Sequence, residues 1–376
     1  MPTRWRCSAW PTPRRSEAYT HNRRVTPPQR VLVTGVSNPL GSEVARRLST
    51  QVPYLFGCDV NDPVSALEDM DFVHADTRQS VIGKLVRQLR IDTVVHLAVV
   101  IDSPREDRAT HETNVIGTMN VLAGCAGPSS PVSRLVVKSS QAVYGARPEY
   151  PSLIVEDSAG IGRADSPVSR DLAELEQLTH DFALRNPGCR VARIRLGYRM
   201  TRETSLGRYL SLPLVPTFAG FDPRLQLLHE EDAAEAIARA ALGDQEGVFN
   251  VAGDGVLVLS QAIAIMGARA TPVLPPYGRW ASRVAVRFAT GVRIPAHMAD
   301  LLMHGSVVDC SRLQTEFGWR PTYSTRAVLD AFALGQTEEP IESPSPPQEY
   351  ELQVYLQRRR RERRNGHGSA ALALSR

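Results

Sequence analysis

From residue 30 onward, short apolar runs alternate with segments whose apolar residues recur every three to four positions. The runs are Val31–Val33, Tyr54–Cys58, Phe72–Val73, Ile91–Ala98, Leu135–Val137 and Arg190–Leu196. Between them lie amphipathic stretches with Val44, Ala45 and Leu48 on one face, then Val81, Leu85, Val86 and Leu89, then helices over about 105–124 and 167–186. Short strands separated by helix-length segments need crossover connections, so the pattern predicts an α/β fold, a doubly wound parallel sheet. In such a sheet ligands gather beyond the strand C-termini, where Thr34, Gly35, Asp59, Asp76, Ala98 and Ser140 all fall. Periodicity becomes irregular after Gly197, which places a dinucleotide-type Rossmann domain at 29–197 and a smaller C-terminal lobe at 198–335, some of whose elements return to the sheet. Residues 1–28 read as a disordered basic extension, and 336–376 as a Pro-rich linker and basic tail.

The first strand runs directly into Gly35-Val-Ser-Asn-Pro-Leu-Gly41 and a helix. A strand that breaks at glycine and resumes as a helix is the arrangement that seats a pyrophosphate on a helix N-terminus. Gly35 permits the tight turn and Gly41 lets the helix lie close to the sheet. Asn38 and Pro39 stand where a further glycine would let backbone approach phosphates; Asn tolerates positive φ, which preserves the turn. An ordinary βα turn is the competing reading. Asp59 ends the second strand and is suited to accept both hydroxyls of an adenosine ribose; Val60 and Asn61 bring no cation for a 2′-phosphate, which favours NAD over NADP. A strand-ending Asp also serves as a helix cap, and that reading stands beside the first. Asp76, with Thr77, ends the third strand, where its carboxylate would meet an adenine amino group. His96 lies inside the 91–98 run and reads as a core histidine.

Composition narrows the picture little. Net charge is +4, carried largely by the tails, so nucleic-acid binding is not inferred. Five scattered cysteines argue against a disulfide framework or zinc site, and no apolar run is long enough for a membrane span, which together point to the cytoplasm. One count matters: Lys84 and Lys138 are the only lysines.

The order Thr34-Gly35…Gly41, Asp59, Asp76, Asp92-Thr-Val-Val-His-Leu-Ala98, Asn114 and Ser139-Ser-Gln-Ala-Val-Tyr-Gly145 resembles the extended short-chain dehydrogenase/reductase family, the NAD-dependent sugar-nucleotide epimerases and dehydratases. Leu225-Gln-Leu-Leu-His229 and Phe317-Gly-Trp-Arg-Pro321 extend the likeness across roughly 29–335. The resemblance implies NAD held by Gly35, Ser37, Asn38, Pro39, Leu40, Gly41, Asp59, Asp76, Thr77, Leu97, Ala98, Asn114 and Ser139. It implies a nucleotide-sugar or related hydroxyl substrate met by Ser140, with Tyr144, Arg208, Arg224 and His229 as weaker candidates. It also implies a homodimer formed by helices 105–124 and 167–186.

The family's base is a Tyr followed four residues later by Lys. Aligning Glu176 with the family's glutamate puts Val168 and Leu172 at those positions, and no register of the chain restores the pair. Asp171, Tyr144 and Tyr198 are weak substitutes. Two readings follow: an epimerase/dehydratase-like protein working by transient oxidation with NAD through a non-standard base, or a catalytically degenerate NAD-binding sensor or scaffold.

Overall fold

The computed structural model describes residues 27–63, 69–103, 108–127, 129–158, 166–273 and 294–335. The Pro-rich linker, the basic tail and all but the end of the N-terminal extension lie outside the described residues.

Seven parallel strands form one sheet: β1 (Arg30–Thr34), β2 (Tyr54–Asp59), β3 (Met70–His74), β4 (Thr93–His96), β5 (Arg134–Ser140), β6 (Arg190–Leu196) and a later strand, Gly247–Val251. In spatial order they run β3-β2-β1-β4-β5-β6, with Gly247–Val251 beyond β6. The reversal of direction falls between β1 and β4, the switch point at which a doubly wound sheet opens a crevice at its carboxyl edge. The expected strand 91–98 is shorter than its apolar run. Leu97 leaves the ladder with its N–H on the Thr34 carbonyl at 3.1 Å, so the chain bends away above β1.

Helices cover both faces. They are α1 (Pro39–Ser49), α2 (Val81–Gln88), α3 (Arg108–His111), α4 (Gly117–Cys125) and α5 (Pro167–Arg185). α3 and α4 are joined by a π-helical turn, Glu112–Ile116, which makes the expected helix 105–124 irregular within its described part. Its cause is local: Asn114 turns inward and clamps the Val100 backbone with two hydrogen bonds of 2.7 and 2.8 Å, while Thr118 donates to the Asn114 carbonyl at 2.6 Å. Such insertions mark functional positions in helices.

After β6 the chain forms β7 (Tyr198–Arg199), α6 (Ser205–Leu210), β8 (Leu214–Phe218), β9 (Arg224–Leu225), β10 (Leu227–Leu228) and α7 (Glu230–Leu242). α7 returns to the sheet and is tied to α1 by Arg47 and Glu235 at 2.7 Å. Gly247–Val251, which follows, is β11. Two apolar cores result. The larger runs from Val31 through Ile194 to Leu313 around the sheet; the smaller gathers Leu206, Tyr209, Val215, Phe218, Leu227, Met298 and Leu302.

Candidate functional site

The β1–α1 turn is held by backbone proximity. Gly35 has φ +75°, and a Cβ there would sit 2.6 Å from the Ala98 nitrogen; a Cβ on Gly41 would sit 2.1 Å from the Gly35 carbonyl oxygen. Asn38 does not use the left-handed region expected of it. Its φ is −87° and ψ 156°, and its side chain caps α1, accepting from the Gly41 N–H at 2.9 Å and donating to the Gly35 carbonyl. Extended backbone at an N-cap lets the carbonyl begin the helix while the side chain turns back, which a positive φ would not allow. Pro39 follows at the first helical position and brings no N–H. Of the first-turn donors, Leu40 N–H is the one that neither the proline nor the cap removes. Asn38→Ala is expected to lower the unfolding free energy by about 1 kcal/mol and Asn38→Gly by a few tenths. Denaturant midpoints for the two variants check the difference.

Asp59 faces this turn. Its carboxylate accepts from the Ser37 N–H at 3.0 Å and the Val60 N–H at 2.7 Å, and Ser37 Oγ donates to the Asn61 carbonyl at 2.5 Å. Among the described residues its bonds go to the turn and not to a helix start. Asp76 lies past β3 and is engaged by Arg78 through Nε and Nη2 at 2.6–3.0 Å, and by the Arg78 N–H at 2.9 Å. Those guanidinium bonds hold its carboxyl below the usual range. Thr77 is buried, and its carbonyl accepts from Asn120 Nδ2 at 3.0 Å.

Beneath the turn a buried chain of hydrogen bonds links three elements. Thr34 Oγ1 lies 2.8 Å from His96 Nδ1, and His96 Nε2 lies 3.1 Å from Thr118 Oγ1. Because Thr118 already donates to the Asn114 carbonyl, it accepts from Nε2–H, and Thr34 donates to Nδ1. His96 is therefore neutral; burial first and the charge of Lys138 second push its pKa down to about 3. The Ala98 N–H, at 3.4 Å, points to the same Thr34 hydroxyl.

At the end of β5 the two serines part. Ser139 faces inward, donating to Glu176 Oε1 at 2.6 Å. Arg195 meets the same carboxylate at 2.5 and 2.8 Å and donates to the Tyr144 hydroxyl at 2.6 Å; Tyr144 in turn donates to Asn250 Oδ1 at 2.8 Å. Tyr144 is thereby placed in the interior, 1% exposed. Burial pushes its phenol up to about 12. Ser140 instead lines a cavity of about 50 Å³ with Asp102, Tyr198, Arg199, Thr204 and His297 among its walls. Asp102 accepts from Ser205 Oγ and N–H at 2.5 Å. Asp102, Arg199 and His297 were not legible as site residues, since chain segments far apart in sequence bring them together.

Val168 and Leu172 are fully buried in the larger core. Asp171 pairs with His111 at 2.8 Å in a separate cavity, and its hydrogen bond raises the imidazole pKa. Arg208 is exposed, with Nη2 3.4 Å from Ser205 Oγ. Arg224 lines a third cavity, of about 250 Å³, with Arg147, Tyr150 and His304. His229 caps α7, accepting from the Glu231 N–H at 3.3 Å, and stacks on Tyr323 with ring centroids 3.8 Å apart.

A glycine-framed strand-turn-helix at the switch point of a seven-stranded parallel sheet, with an acid ending the second strand, defines a doubly wound nucleotide-binding fold. The chain belongs to the NAD dependent epimerase/dehydratase family, whose model matches residues 31–252. An uncharacterized protein of Mycobacterium tuberculosis is 36% identical over 335 residues, 86% of this chain and 88% of its own length. Among solved structures, UDP-glucose 4-epimerase of Thermotoga maritima with UDP-glucose aligns at TM-score 0.63 and 19% identity, covering 83% of this chain and 100% of that one. The dTDP-glucose 4,6-dehydratase DesIV of Streptomyces venezuelae, with NAD bound, aligns at TM-score 0.63 and 20% identity over 83% and 98%. Among the described residues no group of side chains is arranged to hold a metal ion, and no helix is long and apolar enough to cross a membrane.

Proposed function

We propose that this chain binds NAD along the carboxyl edge of the sheet and acts on a hydroxyl of a nucleotide-sugar by transient oxidation. The observation that carries this is the pairing of the Gly35–Gly41 turn with the Asp59 carboxylate, which anchors Ser37 and remains half-exposed where an adenosine ribose would lie. Leu40 N–H and the α1 dipole would meet the pyrophosphate, with Leu97 and Ala98 beside it. Asn114 acts at one remove by fixing Val100. Ser140 would hold the substrate oxygen, and the bound nicotinamide supplies hydride chemistry. The structural neighbours bound to NAD and to UDP-glucose support the reading.

Calorimetry with NAD and NADP tests it. NAD is expected to bind at least about tenfold more tightly than NADP, with Asp59→Ala removing most of the affinity; a protein that takes up neither nucleotide overturns the reading. Oxidation or epimerisation of a sugar nucleotide, lost in Ser140→Ala, is the second arm.

The burial of Val168 and Leu172 favours a second reading, a degenerate NAD-binding sensor or scaffold. NAD binding without turnover of any nucleotide-sugar would select it. In either case we place a twofold contact on the π-helical turn, α4 and α5, where Ile116, Met119 and Leu184 are exposed at 39%, 46% and 69%. Sedimentation gives the oligomeric state.

A further inference from the structure

The chain holds two lysines in 376 residues, and they sit in opposite environments. Lys84 is exposed on α2; Lys138 is on β5, 5% exposed, two residues before Ser140. Alternation along the strand decides which way it points. Arg134 reaches the Ala241 carbonyl of α7 at 2.8 Å, so residues 134, 136, 138 and 140 face α7, whereas Ser139 meets Glu176 on the α5 side. Lys138 and Ser140 therefore share a face, with Cα atoms about 6.6 Å apart, within the span of a four-carbon stem.

The surroundings of that ammonium are specific. Among the described residues it makes no hydrogen bond or ion pair. Arg199, which lines the Ser140 cavity, stands near it from β7, and Glu230 stands near it from the start of α7; His96, neutral, adjoins from β4. Arg199 and Glu230 pair, Nη1 to Oε1 at 2.6 Å, while Glu230 Oε2 is buried with no hydrogen-bond partner among the described residues. Burial and the Arg199 charge favour the neutral amine, and Glu230, one oxygen of which is taken by Arg199, opposes them only in part.

We propose that Lys138 is the proton acceptor behind Ser140, standing in for the Tyr-Lys pair that the chain lacks. The inference rests on the NAD-linked reading above. In the forward step the Lys138 stem swings Nζ into hydrogen-bond reach of Ser140 Oγ, which accepts from the Ala142 N–H at 3.2 Å and keeps its own proton free; a substrate hydroxyl gives its proton to Ser140 Oγ as Ser140 passes its own to Nζ, which becomes an ammonium. The adjoining C–H bond breaks, its hydride and both electrons leave for the nicotinamide, and the C–O single bond becomes a carbonyl. The return of hydride reverses each transfer. Lys138 does not touch the substrate; it acts through Ser140. Burial, with the charge of Arg199 adding to it, lowers its pKa to about 7, so a neutral amine is present at neutral pH.

With two lysines the test is direct. Reductive methylation of the native full-length protein with ¹³C-formaldehyde labels Lys84, Lys138 and the terminal amine, and carbon NMR follows each through pH. Lys138 is expected to titrate near 7. Ser140→Asp is expected to raise the Lys138 midpoint by a unit or more, because an opposite charge at that range favours the ammonium. A Lys138 that titrates near the free-lysine value of about 10.4, ignores Ser140→Asp, or takes label only after denaturation overturns the proposal. With NAD and UDP-glucose, turnover is expected to rise through an acid limb near 7, and Lys138→Met is expected to cost about 100-fold or more at unchanged NAD affinity. Turnover with the same limb in Lys138→Met overturns the role of Lys138 alone, whereas failure to bind NAD overturns the function on which it rests.

Discussion

Glu176→Ala is expected to destabilise the protein by about 3–5 kcal/mol, because it leaves a guanidinium buried without its counter-charge. Arg195 is 2% exposed, and its partner carboxylate 4%. Burial by itself would raise the Glu176 pKa, but the Arg195 charge and its hydrogen bonds outweigh it and hold the carboxyl below the ordinary range. The loss would spread: Ser139 forfeits its acceptor, and the Arg195 contact that orients the Tyr144 hydroxyl toward Asn250 loosens. Urea unfolding of wild type and variant measures the effect. Glu176→Gln, which keeps the shape and a carbonyl acceptor, is expected to cost less than Glu176→Ala. A cost below about 1 kcal/mol for the alanine variant would show that water or a repositioned carboxylate takes over.

The second large effect is acid sensitivity through His96. Its folded pKa, about 3, lies below the ordinary imidazole value of about 6.5. Below about pH 6.5 the unfolded chain binds a proton that the folded chain refuses, so stability is full above that pH and declines as pH falls toward 3. The whole shift corresponds to about 5 kcal/mol, of which about 3 kcal/mol is lost by pH 4. Unfolding free energies of wild type and His96→Asn at pH 7 and pH 4 isolate this contribution. The variant begins less stable, since Thr34 and Thr118 lose part of their bonding, but it is expected to show the shallower pH dependence. Identical slopes would mean that His96 is protonated in the folded protein.

Elements whose cause is local were legible from sequence. Apolar runs and helical periodicity placed six of the seven strands of the sheet, the seventh, Gly247–Val251, lying in the stretch after Gly197 where the periodicity is irregular; the glycines at 35 and 41 marked the turn because backbone approaches backbone there. Asn38 carries two local signals that compete, a tolerance of positive φ and a helix cap. Asn immediately before a proline at the first helical position is an N-cap signature, and the φ of −87° follows from the cap and not from the positive-φ tolerance of Asn. The rest is non-local. Nothing in the spacing of Ser139, Tyr144, Glu176, Arg195 and Asn250 announces one network, since it forms only when β5, α5, β6 and β11 pack. Lys138 failed the linear test for a base because that test looks along one helix; its relation to Ser140, Arg199 and Glu230 comes from strand alternation and from the placement of α7.

The Asn38 cap closes one donor in the first turn of α1 and leaves the Leu40 N–H open. The Gly41 N–H that a dinucleotide would take as a donor is already bonded within the chain. Uptake of a pyrophosphate at that position is then an exchange of acceptors and not the filling of an open one. The loop has little left to order when ligand arrives, so association should be fast, and the heat released small, for a site of this size.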